Sequence, residues 1–420
     1  MGAFKEALPN QEFRTMLKIL HTADWHIGQK FHDYERYDEH RTFFRWLIDL
    51  VKERQIDLLL VAGDVFDGPN PSAEAQNIYY TFLKEIALAS PNIQLIITAG
   101  NHDSAARLEA PAPLLKAFNV FVRGVVKRNA AGEINYKDLL LPVQKEGRTV
   151  AWCMAVPYLR QGDYPPATNY SEGVAKLYET LHQHLKELNK DNLPVLAMGH
   201  LYASGATLSE GDRSERIIVG GSEQVNASAF DLEGVCYTAL GHLHKGQRVA
   251  KCEEIRYAGS PLPMSFAEIN YKQGVNLITL EGDKVTQERV EFTPPVQLLS
   301  LPDQPAELAQ VMEVVSSLPT GESSPTSPFL ELKVLIKEPE PSMRHQIEEI
   351  LQHKAVRLAK LTAYINKGNK HGEETEVKYQ DLKSVSPMQI AEETFERRYG
   401  DRMPETMRKL LTEVIEEVSA

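Results

Sequence analysis

Only three cysteines, Cys153, Cys236 and Cys252, occur in 420 residues. They are too few, and odd in number, for a disulfide framework, so a reducing cytoplasm is the expected compartment. No run approaches the roughly 18 consecutive apolar residues of a membrane span. Residues 1–15 lack the apolar core of a signal peptide, and 1–16 read as an N-terminal extension ahead of the first strand-like run. No P-loop pattern is present, which excludes the usual ATP site from this chain. Basic charge is in deficit: 46 Lys plus Arg against 58 Asp plus Glu leave a net charge of −12. Bulk charge of that sign does not hold nucleic acid. A chain like this handles phosphates only with metal ions or a basic partner to neutralise them.

What is present is an ordinary globular balance, 42% apolar and 25% charged, and a length that suits two or three domains. Up to about residue 292, short Leu/Ile/Val-rich runs alternate with helical patterns. The strand candidates are 17–20, 57–61, 93–98, 194–198 and 235–240, apolar enough to be buried on both faces. Between them, Phe43, Phe44, Leu47, Leu50 and Val51 recur at helical spacing, as do Val174, Leu177, Leu181, Leu185 and Leu188. This is the pattern of an α/β sandwich flanked by helices, spanning 17–292. A small α+β module follows at 293–366, with strands at 296–301, 329–336 and 355–365 and helices at 306–318 and 343–353. Residues 367–385, rich in Lys, Glu and Gly, read as a linker. Residues 386–420 read as two amphipathic helices, the second with a stripe of Met407, Leu410, Leu411, Val414, Ile415 and Val418.

Each of the five strand candidates is followed by residues that bind metals. They are Asp24 and His26 after the first, Asp64 after the second, and Asn101, His102 and Asp103 after the third. His200 follows the fourth, and His242 and His244 the fifth. Ligands bind at the carboxyl ends of strands in open α/β sheets. If the backbone stays extended, Asp24 with His26 and His242 with His244 each point the same way. The donors are carboxylate, imidazole and amide without cysteine, a set that suits Mn²⁺ or Mg²⁺. Seven ligands exceed the needs of one ion. Two ions about 3.5–4 Å apart, sharing a bridging Asp, would use them. Glycines before Asp64, Asn101, His200 and His242 let the chain turn tightly. Alone, a Gly-Asn-His-Asp string is an ordinary turn and Asp64 an ordinary helix cap. Five strand ends together are not.

The strings LKILHTADWHIGQ, VAGDVFD, AGNHD, GHL and LGHLH, in that order, resemble the calcineurin-like metallophosphoesterases. With RYAGSPLPMSF at 256–266, the chain is most similar to their double-strand-break repair branch, the nuclease subunits of SbcCD-type complexes. The resemblance implies that Asp24, His26, Asp64 and His244 hold one Mn²⁺. Asp64, Asn101, His200 and His242 would hold the other, with Mg²⁺ possible at both. It further implies that His102 is the catalytic imidazole and that Asp103 orients it. Asp67 stands where some relatives have His, and its role is open. Trp25 and Phe66 would either gate DNA bases or pack as core. The implied activity is a 3′→5′ double-strand exonuclease and a single-strand and hairpin endonuclease. The implied partners are DNA, an SbcC-like ATPase docked on 386–420, and a second copy of the chain, with 72–118 as the dimer surface. The module at 293–366 would help to position DNA. The alternatives are a small-molecule phosphodiesterase or nucleotidase on the same site, and a non-catalytic scaffold stabilised by metal.

Overall fold

The computed structural model describes residues 16–207, 224–282, 284–336, 342–365 and 375–378, with 395, 403–405 and 407–412. The chain divides into two units, Met1–Pro295 and Val296–Ala420.

The first unit contains β1 (Met16–Thr22), β2 (Lys30–Phe31), β3 (Tyr34–Glu35), β4 (Leu58–Ala62), β5 (Gln94–Thr98), β6 (Val120–Arg123) and β7 (Leu140–Lys145). It continues with β8 (Arg148–Ala155), β9 (Val195–His200), β10 (Val235–Gly241), β11 (Gln247–Val249), β12 (Cys252–Tyr257), β13 (Gly274–Glu281) and β14 (Lys284–Glu291). Two six-stranded sheets result, ordered β14-β13-β1-β4-β5-β6 and β11-β12-β10-β9-β8-β7. Their central strands are parallel, β1 with β4 and β5 in one sheet and β9 with β10 in the other. Strands at the centre of a covered sheet are buried on both faces, which is why they read as unbroken apolar runs. Alternate residues divide between two cores. Leu58, Leu60 and Ala62 meet Leu196, Met198 and Ala239 between the sheets. Leu59 and Val61 turn outward to helices α1 (Tyr37–Arg54) and α2 (Ala73–Ala89). Val195 and Ala197 turn the other way and pack with Leu177 and Leu181 of the long helix Tyr170–Leu188. Each buried Leu, Val or Met among these contributes about 1.5–3 kcal/mol. Helix α2 starts at Ser72, whose side chain accepts a hydrogen bond from the Ala75 amide at 3.1 Å, a cap worth about 1 kcal/mol.

A buried arginine, not foreseen from the sequence, anchors the start of α1. Arg36 is 1% exposed and donates two hydrogen bonds to the Glu39 carboxylate, at 2.8 and 2.9 Å. It also donates to the Pro263 carbonyl at 2.6 Å, which ties α1 to the 258–268 loop. Buried guanidinium is tolerated because its donors are used.

The second unit alternates β15 (Leu298–Glu307), a helix Leu308–Ser317, β16 (Phe329–Ile336), a helix Met343–Leu351 and β17 (Arg357–Ile365). The three strands are parallel, and Val311, Val315, Leu332, Val334 and Ile347 form their core. Part of the stretch read as a linker belongs to this sheet: β18 (Thr375–Lys378) adds an antiparallel edge to β17. The Lys- and Glu-rich composition that suggested a tether also suits a polar edge strand. The first of the two helices expected at 386–420 lies outside the described residues except Phe395. The second helix is described at 405 and 407–412, with Met407 and Leu410 exposed.

Trp25 and Phe66 are core. Trp25 is fully buried, donates its indole N–H to Thr22 Oγ1 at 2.9 Å, and packs edge-on against Phe44 and Phe82. Phe66 is 7% exposed and packs on Tyr79. We expect Trp25→Ala to lower the unfolding free energy by about 3–5 kcal/mol in urea titrations. A base-gating role would instead weaken DNA binding and leave the unfolding midpoint in place.

Candidate metal centre

The chain leaves the strand ends in unfavourable backbone conformations. Asp24, His26, Asp64 and His242 all have positive φ, at 53°, 45°, 49° and 103°. Each costs a non-glycine residue about 1–3 kcal/mol and persists only where the surroundings enforce it. Three backbone hydrogen bonds lock the first two segments together: Asp24 N to Gly63 O, His26 N to Asp64 O and Ile27 N to Val65 O, all at 3.0 Å. The extended backbone anticipated for Asp24 and His26 is therefore not what is found. Left-handed bends present these side chains to different neighbours.

Glycine has a different part here from the one read in the sequence. Of the four glycines before ligand candidates, only Gly63 has positive φ, at 86°. A Cβ at Gly63 would collide with the His200 ring, one at Gly100 with the Asp64 carboxylate, and one at Gly241 with the Ala62 carbonyl. Their missing side chains let two sheets and three loops close on one point.

At that point the candidates converge. His200 Nε2 is 3.1 Å from Asp64 Oδ2 and 2.9 Å from Asn101 Oδ1. His242 Nδ1 lies 3.1 Å from the same Asn101 oxygen, and the His242 amide donates to Asp24 Oδ1 at 2.8 Å. His244 Nε2 faces His26 Nε2 at 3.2 Å. Two sets of possible ligand atoms lie within 4.8 Å of one another: Asp24, Asp64 and His200, and His26, Asp64 and His102. Asp64 belongs to both. The grouping departs from the expected one in two places. Asp24 sits beside His200 rather than only with His26 and His244, and His102 stands with His26 and Asp64.

The arrangement fits divalent cations. Asp24 Oδ2 and Asp64 Oδ2 are buried and accept no well-formed hydrogen bond, the His200 ring beside Asp64 being an ion-pair contact. That is a costly state for a carboxylate unless a cation serves it. Two histidines are fixed so that Nε2 points inward. His200 Nδ1 donates to Ala62 O at 2.9 Å, and His244 Nδ1 donates to Glu268 Oε1 at 3.0 Å. Backbone or carboxylate partners of this kind orient metal-binding imidazoles. Electrostatics agree. Burial raises Asp24 to about 7. Burial works against protonating His200, but the neighbouring Asp64 carboxylate outweighs it and lifts the ring to about 10. Burial also opposes ionisation of Asp64, and His200 beside it nonetheless holds that carboxyl well below the usual range.

His102 and Asp103 have separate parts. The His102 ring donates from Nδ1 to the Asp67 carbonyl at 3.0 Å, and its amide donates to Asp64 Oδ1 at 2.8 Å. Asp103 does not hold that ring. Its carboxylate accepts from the amides of Gly100, Val65 and Phe66 at 2.9, 3.1 and 2.9 Å, stitching the 63–67 loop to the 100–103 loop. The Asp67 carboxylate, whose role the sequence leaves open, lies 3.5 Å from His26 Nδ1. Sequence reasoning missed Glu268, which is 1% exposed and lies two residues beyond the string 256–266. It also missed His40, whose Nε2 is 2.8 Å from the Trp25 carbonyl between Asp24 and His26.

The calcineurin-like phosphoesterase family matches residues 17–246. The chain belongs to the calcineurin-like phosphoesterases, in their SbcCD nuclease branch. It is 36% identical to the SbcCD nuclease subunit of Rhodobacter capsulatus over 82% of this chain and 87% of that one. The counterpart in Escherichia coli K12 is 32% identical over 67% and 70%, and that in Bacillus subtilis 28% over 65% and 69%. Residues 294–399 match a second family, described as the type 5 capsule protein repressor C-terminal domain. The phosphoesterase match spans every ligand candidate from Asp24 to His244. Glu268 lies beyond it.

Asp64→Ala should weaken divalent-cation binding in calorimetry, because both candidate groups share that carboxylate. Glu268→Gln should keep the ligands and weaken binding by about 10–100-fold.

Proposed function

We propose that this chain is the nuclease component of an SbcCD-type complex, hydrolysing DNA phosphodiester bonds with two divalent ions. The observation that carries this reading is Asp64: buried, shared by both candidate groups, and left with an oxygen that accepts no well-formed hydrogen bond. Mn²⁺ is the favoured ion and Mg²⁺ the alternative, in line with the oxygen and imidazole donors. Bound there, the ions supply an attacking water of lowered pKa and positive charge for the reacting phosphate. Asp24, Asp64, Asn101, His26, His200, His242 and His244 hold them. His102, fixed through Nδ1 by the Asp67 carbonyl, keeps Nε2 for the leaving sugar oxygen as proton donor. Asp103 holds the loops that set this geometry. Exonuclease action on duplex 3′ ends, endonuclease action on single strands and hairpins, and a cytoplasmic location are part of the same proposal. No helix among the described residues is long and apolar enough to cross a membrane.

Two interfaces belong to the same reading. Tyr80, Leu88, Leu114 and Phe118 are large apolar side chains left exposed within 72–118, which supports a homodimer on that surface. The exposed Met407 and Leu410 support docking of 386–420 on a partner's helices, here those of the SbcC-like ATPase. That ATPase supplies the ATP dependence, and the module from 293 to 366 helps to place DNA.

The deciding experiment is cleavage of a labelled DNA hairpin with Mn²⁺ or Mg²⁺, with and without the ATPase. Hydrolysis of nucleotide monoesters with no cutting of DNA would overturn the nuclease reading. His102→Ala should retain both metals and DNA affinity while losing turnover by about 10²–10⁴-fold. Loss of Mn²⁺ from that variant would make His102 a ligand. Deleting residues 384–420 should leave cleavage of small diesters intact and abolish co-purification with the ATPase. Undiminished co-purification would show that the helices fold back on their own chain.

A further inference from the structure

Against a chain of net charge −12, the twelve residues 245–256 carry four cations, Lys245, Arg248, Lys251 and Arg256, and two anions, Glu253 and Glu254. They lie on the hairpin of β11 and β12 and the segment leading into it. The four cations line a single cavity of about 610 Å³. It begins at Lys245, the residue after His244, whose Nε2 is in the metal centre 3.2 Å from His26 Nε2. The hairpin itself holds an unfavourable choice. Arg248 and Arg256 are directly opposed in the antiparallel register, and like charges in that relation destabilise a strand pair. One carboxylate, Glu253, pairs with both guanidinium groups and neutralises only one of the two charges. Local choices that work against the fold concentrate at functional positions. Guanidinium groups, moreover, match phosphate oxygens two at a time.

We propose that this cavity is a phosphate-binding subsite for the nucleic-acid strand that runs beyond the scissile phosphate. Arg248, Arg256 and Lys251 contact backbone phosphates, and Lys245 bridges the cavity to the metal centre. Such contacts position the strand without reading its sequence. The subsite is where an acidic protein gathers enough local positive charge to hold a polyanion. Glu253 sets its strength by competing with phosphate for the two arginines. The inference rests on the nuclease reading.

The test uses the full chain with Mn²⁺. Binding to a DNA hairpin is followed against salt in the His102→Ala background, so that the DNA is not consumed. Turnover of bis(p-nitrophenyl) phosphate is followed with His102 intact. Arg248→Gln combined with Lys251→Gln should lower the slope of log affinity against log salt by about 1.8, from about 0.9 per lost phosphate contact on duplex DNA. Turnover of the small diester should not change, because it does not reach the cavity. Glu253→Gln should act in the opposite direction and tighten DNA binding at low salt. Lys251→Gln alone, at an exposed turn, should lower the slope by about 0.9 and serves if the double variant does not fold. Unchanged slopes in chains that still bind DNA would overturn the subsite, leaving the paired arginines as edge-strand charge only. A parent chain that turns over the small diester and neither binds nor cuts DNA would overturn the nuclease reading, and the subsite with it.

Discussion

Two carboxylates, Asp24 and Asp64, are held out of water in one cleft, each with an oxygen that accepts no well-formed hydrogen bond. Burying like charges this way is among the most costly arrangements a fold can adopt. It is sustained only by cations or protons brought to the same place. The neighbouring structure answers to that demand. Histidines arrive from four segments: His26 after β1, His102 after β5, His200 at the end of β9, and His242 and His244 after β10. Two of them, His200 and His244, have their outer nitrogens engaged by the Ala62 carbonyl and Glu268, so that the inner nitrogens face the carboxylates. Glycines at 63, 100 and 241 leave room for side chains or carbonyls from other segments. The left-handed bends at Asp24, His26, Asp64 and His242 are the backbone's share of the cost.

The same demand links the metal to the fold. Asp24 has a folded-state pKa near 7, raised by burial from the ordinary 3.8. The stability associated with its protonated form is therefore full below about pH 3.8 and is lost as pH rises towards 7. His200 is raised in the folded state to about 10, with burial opposing and Asp64 prevailing. Its contribution is full below the ordinary imidazole range and is lost as pH rises through 10. Without metal at neutral pH, a proton on His200 serves as the local cation for Asp64 while Asp24 is on the edge of ionising. A divalent ion held by these residues would take the place of that proton and let both carboxylates stay charged, which would couple metal binding to proton release.

Much of this was legible in the sequence, for a physical reason. A parallel strand buried on both faces is mostly apolar, so the polar residues that follow 17–20, 57–61 or 93–98 are where a site is to be sought, although the first of them after 17–20, His21, is a core side chain bonded to Tyr237. That logic located Asp24, Asp64, Asn101, His200 and His242. It failed where geometry rather than identity decides. Nothing in the order of residues indicates that Asp24 bends towards His200, that Asp103 ties loops instead of holding His102, or that Gly100 is needed for space rather than for turning. Glu268 was hidden because its role depends on a contact across 24 positions of chain. In the second unit, a polar edge strand at 375–378 has the composition of a tether, and only its pairing with β17 distinguishes the two.

Position along the chain also explains how an acidic protein can act on a polyanion. The fold confines its charge by location. Carboxylates gather at the strand ends, where bound metal ions would reverse their sign. The cations of 245–256 begin one residue after His244, so the change from metal-borne to side-chain-borne positive charge takes place within a single loop. Surface pairs, such as Arg41 with Asp38 and Glu74 or Lys186 with Glu233, are each worth at most about 1 kcal/mol and are screened by salt. Net charge works against polyanion binding over the chain as a whole, and the proposed subsite beside His244 is where side-chain cations would offset it.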